Sequence, residues 1–252
     1  MLARLVLAGV AASCATMPGG IAFLPGRERV SVSTNPHEDR AFLTQDDNPF
    51  LTKAEILNWE DGRTFHTDWA AGHFFNWAVL LKDLRQKPVR ILEIGSWEGR
   101  SALFFLNYLP LSRIVCIDPF EGNVEHHTDP YFADLARKSE AQFDRNLAAF
   151  TDRVEKIKGS SSDILPDLGI AGRRFDLAYI DGSHRAADVY RDAALTWPLM
   201  APGGIVVFDD YEWSMVETDE ESPKLGVDAF LAAHRGQYRE LARGYQVAIQ
   251  KV

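Results

Sequence analysis

Val89-Arg90-Ile91-Leu92-Glu93-Ile94-Gly95-Ser96-Trp97-Glu98-Gly99 is the stretch from which the rest of the chain is read. An apolar run ends at Ile94, the chain turns on Gly95 and Gly99, and an apolar-periodic segment starts near Arg100. That pattern predicts a buried strand, a glycine turn and a helix. Glycines at such a turn admit positive φ and let a ligand approach the backbone, while the helix start offers unpaired N–H groups. The combination describes a nucleotide-type site.

Downstream, the same alternation repeats. A strand over 113–117 runs into Asp118-Pro119, and Asp118 lies 19 residues after Gly99, where nucleoside-binding folds place an acid for ribose hydroxyls. A polar loop over 121–129, a helix over 131–150, a strand over 154–157, a polar turn over 159–162 and a short helix over 163–168 follow. A strand over 175–180 ends at Asp181-Gly182-Ser183-His184, and a helix covers 185–199. After a turn at Pro202-Gly203-Gly204, a strand over 205–208 ends at Asp209-Asp210, and an acidic loop spans 211–223. A helix over 227–234 precedes strands over 238–242 and 245–252, with Arg243-Gly244 as a hairpin turn. The expected fold is α/β, a Rossmann-like doubly wound, mainly parallel sheet with an antiparallel last strand.

Upstream, residues 1–45 show no clear periodicity and read as an extension, while 46–88 read as a helical cap. The cap holds a helix over 52–59, opened by Thr52 and Glu55 in capping-box spacing, and a helix over 65–84. On the second helix Trp69, His73 and Trp77 share a face, a packing stripe that is also placed to cover a pocket. Residues 89–252 form the main domain.

Composition narrows the function. The 252 residues are 46% hydrophobic and 25% charged, enough for a full core without disulfides or structural metal. A net charge of −9 disfavours nucleic acid and anionic membranes as partners. The two cysteines, Cys14 and Cys116, have no metal-site or disulfide spacing. The apolar run over 5–12, followed by small residues, sketches a signal peptide but is too short to span a bilayer. The expected location is cytoplasmic, with export as the alternative that this stretch keeps open.

Three ordered segments carry a family resemblance: Glu93-Ile94-Gly95 through Ser101, Ile180 through His184, and Gly203 through Tyr211. Over roughly 89–252 the chain resembles the class I S-adenosylmethionine-dependent methyltransferases, and within them the small-molecule O-methyltransferases of the metal-dependent type. The resemblance implies that Glu93, Gly95, Ser96 and Gly99 border the methionine half of S-adenosylmethionine. Asp118 would bind its ribose, and Ser160 and Ser161 would lie near adenine. The structural alternatives are a helix-capping acid at 93, a turn-initiating aspartate at 118 and an ordinary polar turn at 160–161.

Asp181, Asp209 and Asp210 stand at the ends of strands expected to be neighbours. Carboxylates converging in one cleft repel and raise one another's pKa, which a divalent cation would relieve. Mg²⁺ accepts about six oxygen ligands and would leave positions for substrate oxygens. His184, three residues after Asp181, is the candidate general base, with Asp181 assisting as a catalytic metal ligand. The cation-free alternative is an acid rim that only hydrogen-bonds ligands. Some metal-dependent relatives have an aspartate where this chain has Ser183, which favours His184 as base and departs from the sugar-methylating pattern.

The expected activity is methyl transfer to a hydroxyl of a small sugar, polyol or phenol. A metal-independent methyltransferase and a non-catalytic cofactor-binding module are the alternatives. A nicotinamide-dependent dehydrogenase is disfavoured because Gly95 and Gly99 do not make G-x-G-x-x-G. Homo-oligomerisation is open. His126, His127 and Asp129 read as a solvated loop rather than a second metal site, and the acidic run 217–221 as a solvated or lid segment. Trp97, Tyr211 and Trp213 are candidates for pocket wall or core.

Overall fold

The computed structural model describes residues 48–213 and 222–252. One seven-stranded sheet holds β1 (Arg90–Ile94), β2 (Arg113–Asp118), β3 (Val154–Lys158), β4 (Phe175–Ile180), β5 (Met200–Phe208), β6 (Tyr238–Arg243) and β7 (Val247–Lys251). Its order is β3-β2-β1-β4-β5-β7-β6. The strands β1 to β5 pair in parallel, and β7 runs antiparallel to both β5 and β6. The expected wound sheet is therefore present, and β7 is its antiparallel member.

Register levels the strand ends. Ile94 pairs with Ile117 and with Ile180, and Ile180 pairs with Phe208. The residues that leave the sheet next to one another are therefore Gly95, Asp118, Asp181 and Asp209. Their backbones extend the ladder: Gly95 N–H donates to Ile117 O at 2.9 Å, Asp181 N–H to Ile94 O at 2.8 Å, and Asp209 N–H to Ile180 O at 3.0 Å.

Both faces of the sheet are covered, as parallel sheets require. Strand alternation sends Ile91, Ile114, Leu177, Tyr179 and Val207 to one face, against α2 (Phe74–Leu81), α3 (Arg100–Tyr108) and α4 (Pro130–Asn146). Leu92, Val115, Ala178, Ile180 and Val206 go to the other, against α5 (Ser161–Ile170), α6 (Ala186–Thr196) and α7 (Pro223–Ala233). Fully buried Phe104 and Phe105 pack on Trp77 with ring centroids 5.2 and 5.0 Å away. Each such phenylalanine contributes roughly 1.5–3 kcal/mol by leaving water.

The helix α1 (Lys53–Glu60) starts as its sequence suggests, with Thr52 and Glu55 forming the reciprocal capping box. The helix expected over 65–84 is shorter. It begins at Ala71 as a 3-10 turn, continues as α2 and ends in a second 3-10 turn at Leu84. The preceding backbone bonds elsewhere: Thr64 N–H donates to Asn146 Oδ1 at 3.2 Å and His66 N–H to Glu98 Oε2 at 2.7 Å. Side chains of the main domain thus replace helix carbonyls as acceptors.

Other boundaries move for local reasons. Asp129 accepts Tyr131 N–H at 2.8 Å, so α4 opens on Pro130, where a missing N–H costs nothing. The expected loop over 121–129 includes a 3-10 turn, Val124–Thr128. Pro202-Gly203-Gly204, expected as a turn, lies inside β5, whose pairing with β4 is irregular there. The extension 1–45 with its signal-like run, and the acidic run 217–221, lie outside the described residues. No helix among the described residues is long and apolar enough to cross a membrane.

Candidate active site

The glycine turn is set by close packing. Gly95 has φ +82°, and a Cβ there would stand 2.0 Å from the carbonyl oxygen of Asp181. The turns after β1 and β4 therefore touch backbone to backbone. Gly99, at φ +80°, is the N-cap of α3.

Glu93 is fully buried beneath this turn, its carboxylate accepting from Ser96 Oγ at 2.6 Å and Ser101 Oγ at 2.7 Å. Burial pushes its carboxyl up to about 7, against the pull of the two hydroxyls. Folded chains consequently retain a proton that unfolded chains release from about pH 4.5 upward. The stability from this proton is complete below that pH and is lost as pH rises through 7. Glu93→Gln is expected to flatten this dependence and to exceed the parent above pH 7 by on the order of 3 kcal/mol. Urea unfolding at acidic and alkaline pH measures it; parallel profiles for the two proteins would contradict the burial account.

Asp118 is almost wholly occupied by backbone. Its Oδ2 accepts Ser96 N–H at 2.6 Å and Trp97 N–H at 2.8 Å, and its Oδ1 accepts Phe120 N–H at 2.5 Å. A carboxylate offers about four lone-pair positions, so one remains for a ligand hydroxyl. Trp97, Phe120 and Asp210 are the non-glycine residues with positive φ among the described residues, at 45°, 56° and 56°. Each has its N–H held by an aspartate side chain, Asp118 for the first two and Asp209 for the third, at 2.7 Å. Such strain costs about 1–3 kcal/mol per residue and concentrates at functional sites. Asp118→Ala is expected to weaken S-adenosylhomocysteine binding at least about tenfold and to lower stability by about 1–3 kcal/mol through the orphaned N–H groups. Calorimetry and thermal melting measure the two effects, and unchanged affinity would remove Asp118 from the donor site.

The serines after β3 are engaged with each other and with α6. Ser160 Oγ and Ser162 Oγ lie 2.8 Å apart, and Ser161 Oγ donates to Asp192 Oδ1 at 2.6 Å. Burial pushes the Asp192 carboxyl up to about 6.

At the ends of β4 and β5 the acids converge, with one change from the expected set. Asp181, His184 and Asp210 place ligand atoms within 4.8 Å of one another. His184 Nε2 is 2.9 Å from Asp210 Oδ2. Asp209 faces Tyr179 instead: the buried Tyr179 hydroxyl bonds Asp209 Oδ2 and also reaches Asp181 Oδ2 at 3.1 Å. Burial and then the neighbouring carboxylates push Asp181 well above the usual range, and Asp209 upward. Asp210 is also penalised by burial, yet the His184 hydrogen bond and charge hold it below the usual range. Without a cation, protons and Tyr179 absorb the repulsion. The same donor set suits a divalent ion.

The sequence reading missed Tyr179, although it lies two residues before Asp181 and strand periodicity puts it on the face toward α2 and α3. It also missed the strap before α2. His66 Nδ1 lies 2.6 Å from Glu98 Oε1, and Glu98 is 2% exposed. Arg100 joins Glu60 at 2.7 Å and Asp68 at 2.6 Å. Trp69, expected as packing, is 50% exposed and lies with Trp97 and His126 at centroid distances of 5.5 and 5.3 Å. His126 thus belongs to an aromatic cluster beside the glycine turn, and Asp129 to a helix cap.

A β3-β2-β1-β4-β5-β7-β6 sheet with its ligand-type residues at the ends of β1, β2, β4 and β5 is the class I methyltransferase fold, whose donor is S-adenosylmethionine. Comparison with known proteins agrees: residues 92–211, just under half of the chain, match the model of a methyltransferase domain family.

The chain is 30% identical over 131 residues to the O-methyltransferase hkm8 of Aspergillus hancockii, covering 50% of this chain and 44% of that protein. It is 29% identical over 136 residues to the mycinamicin VI 2''-O-methyltransferase of Micromonospora griseorubida, covering 51% and 29%. Less than half of each of these two relatives is therefore spanned. Among solved structures, the MycE methyltransferase in complex with Mg, SAH and mycinamycin VI superposes with a TM-score of 0.52 at 20% identity, covering 78% of this chain and 53% of that one. At that identity the likeness speaks to the fold.

Proposed function

We propose that this chain transfers the methyl group of S-adenosylmethionine to a hydroxyl oxygen of a small sugar, polyol or phenol. A divalent cation would be held by Asp181 and Asp210, with Asp209 turned to Tyr179, and His184 would serve as general base. The observation that carries this reading is the convergence of Asp181, His184 and Asp210 within 4.8 Å, beside the Gly95 turn that packs on the Asp181 backbone. The names of two relatives as O-methyltransferases and the Mg in the MycE complex support it.

When bound, the cation would lower the acceptor hydroxyl's pKa and fix its oxygen. The residues of the chain do the remainder. The glycine turn, with Ser96, Gly99 and Asp118, positions the sulfonium donor, and closeness of the β1 and β4 turns brings its methyl near the acids. Asp210 orients the His184 imidazole, which takes the hydroxyl proton as the oxygen lone pair attacks the methyl carbon. The carbon–sulfur bond breaks and its electron pair stays on the neutral thioether. Such proton transfer contributes about 10²–10⁴-fold. A second reading has a specific support: His184 belongs to the candidate cation group, which makes the imidazole itself a candidate ligand. Histidine ligation would favour Mn²⁺ or Zn²⁺ over Mg²⁺. A small-molecule acceptor and an intracellular donor are consistent with a cytoplasmic enzyme.

The test is transfer of isotope-labelled methyl from S-adenosylmethionine to catechols, diols and sugars, with chelator and with Mg²⁺ or Mn²⁺ restored. Expected is turnover that chelator removes and cation restores. Turnover indifferent to chelator would remove the cation from the mechanism. Donor binding without any product would favour the non-catalytic alternative.

A further inference from the structure

The hairpin that joins β6 to β7 reaches into the acid rim from the far end of the sequence. Tyr245 Oη donates to Asp210 Oδ1 at 2.7 Å, leaving Oδ2 on His184 at 2.9 Å. Its backbone carbonyl accepts Tyr211 N–H at 2.8 Å, and its ring lies on His73 with centroids 5.6 Å apart and planes 15° apart. The next residue, Gln246, accepts from the buried Trp77 Nε1 at 2.7 Å, which ties the hairpin to α2.

We propose that this hairpin tip is the outer support of the cation site, with Tyr245 acting as the positioning residue for Asp210. The inference rests on the cation reading above. A carboxylate with one oxygen held by a hydroxyl cannot rotate freely, so its other oxygen stays aimed at Asp181 and His184. A neutral donor does this without cancelling the charge that attracts the ion, which a lysine or arginine would do. Outer partners of metal ligands typically set about 10–100-fold of the affinity.

Tyr245→Phe keeps the ring, its stack on His73 and the hairpin backbone bond, and removes only the hydroxyl. Mn²⁺ binding is followed by the paramagnetic resonance of the free ion, and S-adenosylhomocysteine binding by calorimetry. The expected result is an Mn²⁺ affinity lower by about 10–100-fold with S-adenosylhomocysteine affinity unchanged. Mn²⁺ affinity within about twofold of the parent, or an equal loss for both ligands, would overturn the positioning role. If the parent protein binds S-adenosylhomocysteine but no Mn²⁺, the cation reading fails and this inference with it. Loss of S-adenosylhomocysteine binding in the parent would instead defeat the donor assignment while leaving the Mn²⁺ comparison intact.

Discussion

Gly95→Ala is expected to abolish measurable S-adenosylhomocysteine binding and to lower stability by about 3 kcal/mol or more. Two penalties add at this position. The backbone has φ +82°, which disfavours any Cβ, and the Cβ would stand 2.0 Å from the Asp181 carbonyl oxygen. Backbone on the far side cannot swing away as a side-chain tip can, so the turns after β1 and β4 must separate. Gly172→Ala provides the control. It has φ +68° with nothing within 4 Å of the added carbon, and strain alone should cost about 1–2 kcal/mol there. Thermal melting and calorimetry on the two variants separate strain from collision. A Gly95→Ala protein with near-parental affinity would show that the two turns need not touch for the donor to bind.

His184→Gln is expected to lower turnover by about 10²–10⁴-fold while Mn²⁺ and S-adenosylhomocysteine affinities stay near parental values. That outcome distinguishes base from ligand. Glutamine keeps a side chain of similar reach but cannot take a proton near neutral pH, so loss of rate alone identifies proton transfer. A fall in Mn²⁺ affinity together with rate would identify the imidazole as a cation ligand. An unaltered rate would retire His184 from either role. Its 2.9 Å contact with Asp210 makes the experiment informative, since that carboxylate is shared by both readings.

The fold was legible where local signals agreed with tertiary structure. Apolar runs bounded by acid or glycine gave β1, β2 and β4 almost residue for residue, because strands buried on both faces need continuous hydrophobicity. Thr52 and Glu55 announced α1 through a wholly local motif. Signals failed where a partner distant in sequence decided the outcome. Residues 65–70 look helical, yet the Glu98 and Asn146 side chains capture backbone donors on this segment and just before it. Asp118 was legible as a strand-end acid, but no local pattern says that its carboxylate holds two strained turns. Asp181, Asp209 and Asp210 were legible as a rim. Their division of labour was not, since it depends on Tyr179 from within β4 and Tyr245 from the last hairpin.

The carboxylates thus have two kinds of work. Some, such as Glu93 and Asp118, brace the Gly95–Gly99 turn, and others remain partly available for chemistry. A crystal structure with S-adenosylhomocysteine and Mn²⁺ tests this division most directly. The predicted result is the donor's ribose against Asp118, its sulfur beside the Gly95 turn, and an anomalous manganese peak bounded by Asp181 and Asp210. A donor bound away from the Gly95–Gly99 turn, or a protein saturated with manganese that leaves those two carboxylates bare, would contradict it.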